Sequence, residues 1–215
     1  MMTTLSWDGV GQKFYEYGVD RGVLYLEDGS GVEWNGLTSV DEKFTGAQAN
    51  PIYWDGVKID DVIAVADFAA SLKAITYPPE FEEYEGIVES DNGMMVTAQV
   101  PILFGLSWRT LIGNDVQAAF GYKIHVAVNL SAVPAQRSAN TIGKNVDMVE
   151  FEWNLTGTPQ RVPGFRPTAH LIFDTSKSQP EFVTALEAIL YGDETNDAHL
   201  PSLGDLVTIA NVWTA

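Results

Sequence analysis

Apolar and polar side chains alternate strictly from Tyr122 to Asn129. Tyr122, Ile124, Val126 and Val128 fall on one side, and Lys123, His125, Ala127 and Asn129 on the other. This is the two-residue period of a half-buried strand. Val149, Phe151, Trp153 and Leu155 alternate with Glu150, Glu152 and Asn154 to give the clearest strand of the chain, ended by Thr158-Pro159. With that apolar row buried, Glu150 and Glu152 face outward. Shorter runs predict strands at Val23–Leu26, from Val32, over Met95–Leu106, over Trp108–Ile112 and over Ala169–Phe173. Asp28-Gly29-Ser30-Gly31 and Gly113-Asn114-Asp115 supply turn chemistry, and Asn35-Gly36 is a hairpin signal.

Other stretches are less regular. Residues 1–21 are rich in glycine, aromatics and charge, and read as an arm or irregular lead-in. Thr45 to Gly56 contains Gly46, Asn50, Pro51 and Gly56 and is too broken for a regular element, yet it carries Ile52-Tyr53-Trp54. Such side chains either fold back on their own domain or dock on a partner. Ile59 to Thr76 admits two readings. A strand puts Ala64, Ala66, Phe68, Ala70 and Leu72 on one face; a helix gathers Val62, Val65, Ala69 and Leu72. Periodicity does not settle so short a run, and the exit at Pro78-Pro79 favours the strand. Phe81-Glu82-Glu83-Tyr84 reads as a short helix or turn closed by Gly86.

The last 38 residues change character, from strand periods to helical ones. Ser178-Gln179-Pro180-Glu181 is a helix start, Phe182, Leu186, Ile189 and Leu190 form one stripe, and Gly192 is the stop. Ser202 and Asp205 cap a second short helix through Val207 to Ala210. No repeat or linker interrupts residues 1–215, so a single strand-rich domain with helical trimming is expected.

Composition narrows the chemistry. The chain has no cysteine, which removes disulfides and thiolate metal sites. No signal peptide is expected, and the apolar run from Val62 to Ala70 is broken by Asp67 and falls short of the ~20 residues a spanning helix needs. The net charge is −17 and is uneven. Residues 1–100 hold 18 acids and 5 bases, residues 101–177 hold 5 and 7, and residues 178–215 hold 6 acids and no base. A protein that grips nucleic acid clusters lysine and arginine against phosphates, which this chain does not.

Catalytic signatures are missing. His125, His170 and His199 are scattered with no acid or nucleophile at a telling spacing, and no nucleophile elbow, His-Glu-x-x-His pair or phosphate loop is present. Asp193, Thr195 and Asp197 alternate as calcium ligands can, without the glycine and bidentate glutamate of a calcium hand. Glu80, Glu82, Glu83 and Glu85 read as a solvated turn. No enzyme activity and no cofactor are expected. Trp7 and Trp54, in the irregular segments, are the tryptophans available for contacts.

Several segments, in order, resemble the major tail proteins (tail-tube proteins) of long non-contractile-tailed bacteriophages. They are Gly105-Leu106-Ser107-Trp108-Arg109-Thr110-Leu111-Ile112-Gly113-Asn114-Asp115 with Gly121–Asn129, and Val149-Glu150-Phe151-Glu152-Trp153-Asn154-Leu155-Thr156-Gly157-Thr158-Pro159. Ala74-Ile75-Thr76-Tyr77-Pro78 and Leu186-Glu187-Ala188-Ile189-Leu190-Tyr191-Gly192 with Leu200-Pro201-Ser202-Leu203 extend the likeness, while residues 1–60 match loosely. The resemblance implies a mainly β, sandwich or barrel-like fold with a flanking helix and a C-terminal helix-loop-helix over 178–215. It implies homo-hexameric rings stacked into a tube, with tape-measure and other tail proteins as partners. A long loop, here 45–56, bridges rings through Tyr53 and Trp54. DNA passes through the lumen without specific binding, and no membrane anchoring is expected; an acidic wall would repel its phosphates, which the net charge allows, with Glu150 and Glu152 as the candidate lumen-facing acids. The rival is a carbohydrate-binding sandwich, which dispersed Trp and Tyr with abundant Asp would suit, although no aromatic cluster on one strand face stands out.

Overall fold

This computed structural model describes residues 5, 7–45, 49–63, 67–139, 141 and 148–213. Among them the chain is mainly β, built on one curled antiparallel sheet. Its strands are β1 (Phe14–Tyr25), β2 (Gly31–Trp34), β3 (Leu37–Thr45), β4 (Ala49–Trp54), β5 (Val57–Ile63), β6 (Asp67–Ala74), β7 (Val88–Ser90), β8 (Met94–Val96), β9 (Phe104–Asn114), β10 (Gly121–Arg137), β11 (Phe151–Gly157) and β12 (His170–Asp174). Its helices are α1 (Phe81–Tyr84), α2 (Pro180–Tyr191) and α3 (Leu203–Val212). The large sheet runs β2-β1-β9-β10-β11-β6-β3, with β12 also paired to β10; β4-β5 and β7-β8 are separate two-stranded ribbons.

The curl is forced at one corner. Strands β2 and β3 lie at opposite ends of the sheet order, yet only Asn35 and Gly36 separate them. Asn35-Gly36 is therefore not the hairpin its sequence predicts: it joins the two edges. The corner is tied to the end of β6, where Ile75 N–H donates to Gly36 O at 2.9 Å and Thr76 Oγ1 donates to Asn35 O at 2.5 Å. Gly36 has φ +88°, and a Cβ there would stand 2.4 Å from Thr76 Oγ1, so only glycine fits.

Two apolar layers follow from this curl. The inner one holds Leu24, Trp34, Phe68, Leu72, Phe81, Phe104, Leu106, Trp108, Leu130, Trp153 and Leu155. The outer one packs Val23, Tyr25, Ile124, Val126 and Val128 against Phe182, Leu186 and Leu190 of α2 and Leu203 and Leu206 of α3. Strand β10 is thus buried on both faces from Ile124 to Val128, not half-buried as its alternation predicts. The reason is that α2 and α3 cover its outer side. Gly105 lies beneath this cover: a Cβ there would meet Leu200 Cδ2 at 2.3 Å. Tyr25 pins the helix by donating its hydroxyl to Leu190 O at 2.8 Å.

Other expectations shift with the pairing. The lead-in becomes strand from Phe14 onward, bent by register shifts on β9 between Tyr17 and Asp20 and between Asp20 and Val23. Residues 1–4 and 6 of that lead-in lie outside the described residues. Met95–Leu106 is not one strand: β8 ends at Val96 and β9 starts at Phe104, running unbroken through Ser107. Ile59 to Thr76 is not one long strand: its start belongs to β5, and Phe68, Ala70, Leu72 and Ala74 are buried in β6 of the large sheet; Ala64, Val65 and Ala66 lie outside the described residues. Ser178 does not cap α2; its hydroxyl donates to Asp174 O, and Gln179 takes the cap position. Ser202 does cap α3, accepting from Asp205 N–H at 3.2 Å, and that helix runs on to Val212.

Candidate assembly interface

The stretch expected as a broken loop is a β-ribbon. Strands β4 and β5 pair antiparallel, with Tyr53 opposite Lys58 and Trp54 opposite Val57, around a turn at Asp55-Gly56. Both turn residues have positive φ, +48° and +76°, the conformation a two-residue hairpin turn demands. The Asp-Gly pair carried that signal in the sequence, but Pro51 and the polar surroundings masked it. Tyr53 is 62% exposed and Trp54 71%, with Ile52, Val57 and Ile59 also exposed. Neither aromatic folds back on its own subunit. A lone two-stranded ribbon is marginally stable in water, and one carrying five exposed large apolar side chains has surface suited to a partner.

Further apolar surface lies elsewhere. The β7-β8 ribbon exposes Val88, Met94, Met95 and Val96. The start of β1 exposes Phe14, Tyr15 and Tyr17, with Phe14 meeting the Phe120 ring edge-on at 5.0 Å. Trp7 is exposed as well. Sequence reasoning found Trp7, Tyr53 and Trp54 but missed the Phe14–Phe120 patch, because residues 1–21 were expected to be irregular.

Glu150 and Glu152 sit on the outer face of the β11-β6-β3 end of the sheet, away from α2 and α3. Glu150 lies just before β11 and accepts from Thr38 Oγ1 at 3.2 Å. Glu152 pairs across the strands with Lys73, whose ammonium is 3.9 Å from Oε2, and accepts from Ser71 Oγ at 2.9 Å. Asp41 and Lys43 continue this face on β3, each in register with a residue of the same outer row of β6. The face is polar and of mixed sign, not the uniformly acidic wall the net charge suggests.

Two histidines that looked scattered meet inside the sheet. Val40 and Glu42 point inward from β3, and Glu42 there meets His125 of β10 and His170 of β12. His125 Nδ1 is 2.9 Å from Glu42 Oε1 and 3.3 Å from His170 Nε2. Trp108 stacks on both imidazoles, and Phe68 lies 4.6 Å from His170, ring centre to ring centre. Burial, with His125 beside it, pushes the His170 imidazole down to about 4 against the pull of Glu42. No spacing in the sequence signals this cluster, since its members come from three strands brought together only by the curl. The Asp193 turn is different. Thr195 and Asn196 donate to its carboxylate and draw it down to about 2, so that group is satisfied within its own turn.

No family model and no curated protein matches the chain in sequence. Solved structures with a similar backbone include the sheath-tube complex of the PVC extracellular contractile injection system in its extended state. That match has a TM-score of 0.39 and 13% identity, covering 72% of this chain and 89% of the other. A chain of the anti-feeding prophage (AFP) baseplate gives 0.38 and 8%, covering 80% and 99%. The PVC sheath/tube terminator in the extended state gives 0.34 and 11%, covering 79% and 99%. At TM-scores below 0.5 these likenesses carry no functional weight.

Proposed function

We propose that this chain is a tail-tube subunit that self-assembles into stacked rings, with the β4-β5 ribbon reaching between copies. The observation that carries this reading is the ribbon itself. Tyr53 and Trp54 are largely exposed on a two-stranded element with three further apolar neighbours, at the segment that the resemblance to phage tail-tube proteins gives as the inter-ring bridge. Large aromatics are the usual anchors of protein interfaces. The role is structural and needs no catalysis. A sugar-binding module is the rival. It needs aromatics side by side on one face, whereas Tyr53 and Trp54 are consecutive on a strand and point to opposite faces.

In this reading the uncovered face of β11, β6 and β3 lines the lumen, with Glu150 and Glu152 turned to the passing DNA. Lys43 and Lys73 dilute its charge, so it repels phosphate weakly instead of gripping it.

Negative-stain microscopy and sedimentation of the purified chain test the reading. Rings or tubes are expected at high protein concentration. Stacking subunits of net charge −17 is opposed by like charges, and the Debye length falls from about 30 Å at 0.01 M salt to about 10 Å at 0.1 M. Added salt therefore promotes assembly. Monomers at every protein and salt concentration would overturn the proposal, and tubes that dissolve as salt rises would show that ion pairs hold the contacts.

A further inference from the structure

The geometry points to Glu42, His125 and His170 as the ligands of a late first-row divalent transition metal, zinc above all, held between β3, β10 and β12. Three observations carry this. The first is convergence. His125 Nδ1 faces both Glu42 Oε1 at 2.9 Å and His170 Nε2 at 3.3 Å, and the three side chains can each present one ligand atom within 4.8 Å of the others. Ligands about 2.0–2.1 Å from a tetrahedral ion stand about 3.3 Å from one another. The His–His spacing already matches that edge; the carboxylate stands closer to His125, and its Oε2 lies 3.9 Å from His170 Nδ1.

The second observation is a hydrogen bond behind the cluster. Thr110 Oγ1 lies 3.1 Å from His125 Nε2 and can accept from an Nε2–H, the tautomer in which Nδ1 ligates. Such an outer hydrogen bond is how ligating histidines are oriented. A proton between His125 Nδ1 and Glu42 Oε1 serves that pair alone, whereas a divalent ion takes one nitrogen from each imidazole and a carboxylate oxygen.

The third observation is the setting. Both imidazoles are buried, Trp108 and Phe68 form an apolar wall around them, and the Glu42 carboxylate alone is partly open to solvent. The donor set of two imidazoles and one carboxylate suits zinc and its neighbours, while calcium and magnesium prefer oxygen donors. A water completes the fourth position.

The ion has a structural use. Among the described residues β3 pairs only with β6, and β12 only with β10. Glu42 from the first and His170 from the second would be joined through the metal, bolting shut a side of the curled sheet that backbone hydrogen bonds leave unpaired. Thr110 acts as a positioning residue through His125.

The test uses the full chain, freed of metal with a chelator and titrated with Co2+. One equivalent is expected to bind with the visible absorption of a tetrahedral nitrogen–oxygen site, and Zn2+ but not Mg2+ should displace it and raise the thermal midpoint. Glu42→Gln and His170→Gln should each weaken binding at least ~10-fold, and Thr110→Val should weaken it by a smaller factor within ~10–100-fold. Should a variant fail to fold, the wild-type protein still decides: paramagnetic Co2+ must shift the ring signals of His125 and His170 and leave those of His199 in place. Absence of stoichiometric Co2+ binding, equal binding by the folded variants, or unshifted ring signals would each overturn the site and leave a proton-bridged Glu42–His125 pair.

Discussion

Strands β6 and β4-β5 belong to one continuous excursion of the chain after β3, and they treat the same kind of side chain in opposite ways. On β6, Phe68, Ala70, Leu72 and Ala74 are buried beneath β11 partners such as Trp153 and Leu155. On the ribbon, Ile52, Tyr53, Trp54, Val57 and Ile59 stand in solvent. Extended geometry does not separate them, because both are strands that carry large apolar side chains. Closure does. Among the described residues, strand β6 has a pairing partner on each side, while each ribbon strand has only the other. Apolar surface that a subunit cannot cover by itself is either a liability or an interface, and five such side chains stand on this one hairpin.

The largest effect should come from the buried side of that comparison. Trp153 is fully buried among Trp34, Tyr77 and Phe81, with ring centres 5.3–5.7 Å away, and its indole N–H donates to Glu85 at 2.5 Å. Trp153→Ala opens a cavity and leaves the buried Glu85 carboxylate to its ion pair with Arg137. A loss of about 3–5 kcal/mol is expected in urea denaturation. A change below ~1 kcal/mol would mean that the aromatic cluster is not the keystone of the inner layer.

How much of this was legible beforehand depends on whether a segment's fate is local. Strand β11 and the stripe of α2 could be read directly, since period and burial coincide there; β10 was legible as a strand, but not as one buried on both faces. The first half of β1 could not: Gly18 and Arg21 take positive φ and bulges break the alternation, so a strand reads as a lead-in. Asn35-Gly36 carried correct turn chemistry but no information about which strands it joins. The histidine cluster was invisible for the same reason, because Glu42, His125 and His170 are neighbours only after the sheet has curled. The sequence left Tyr53 and Trp54 either folded back on the domain or docked on a partner; the ribbon leaves both exposed, and docking is the proposal.

A middle-sized effect probes the seam between sheet and helix. The Tyr25 hydroxyl contacts Ser107 Oγ at 3.1 Å and donates to Leu190 O at 2.8 Å, and burial raises its pKa well beyond the usual tyrosine range. Tyr25→Phe keeps the ring and removes both bonds, stranding a buried carbonyl. About 1–3 kcal/mol should be lost. Hydrogen exchange should report it first at the end of α2; uniform loss across the sheet would show that the helix is not separately anchored.

On the exposed side, Tyr53→Ala with Trp54→Ala should leave the monomer within about 0.5 kcal/mol of the parent. Circular dichroism should be unchanged while sedimentation shows assembly abolished. The contrast with Trp153→Ala is then complete: one aromatic pair matters only between subunits, the other residue only within one. Unfolding of the double variant would place the ribbon in the core of the fold, and undiminished tubes would move the interface to the Phe14–Phe120 or Val88–Val96 patches.

A similarly small structural effect is expected on the uncovered polar face, where it distinguishes a lumen from an interface. Glu150→Lys with Glu152→Lys removes the acceptor of Thr38 and sets a lysine directly opposite Lys73. Like charges paired across strands cost a few tenths of a kcal/mol to about 1 kcal/mol, so the subunit should fold and assemble. The functional consequence is electrostatic. Duplex DNA carries one negative charge per about 1.7 Å of axis, and four added units of charge per subunit turn a weakly repelling face into a gripping one. Particles carrying the variant should eject DNA slowly, with the delay greatest at low salt and fading as the Debye length shrinks. Normal ejection from well-formed variant tubes would remove this face from the lumen, whereas loss of tubes from a folded subunit would make it a contact between neighbours in the ring.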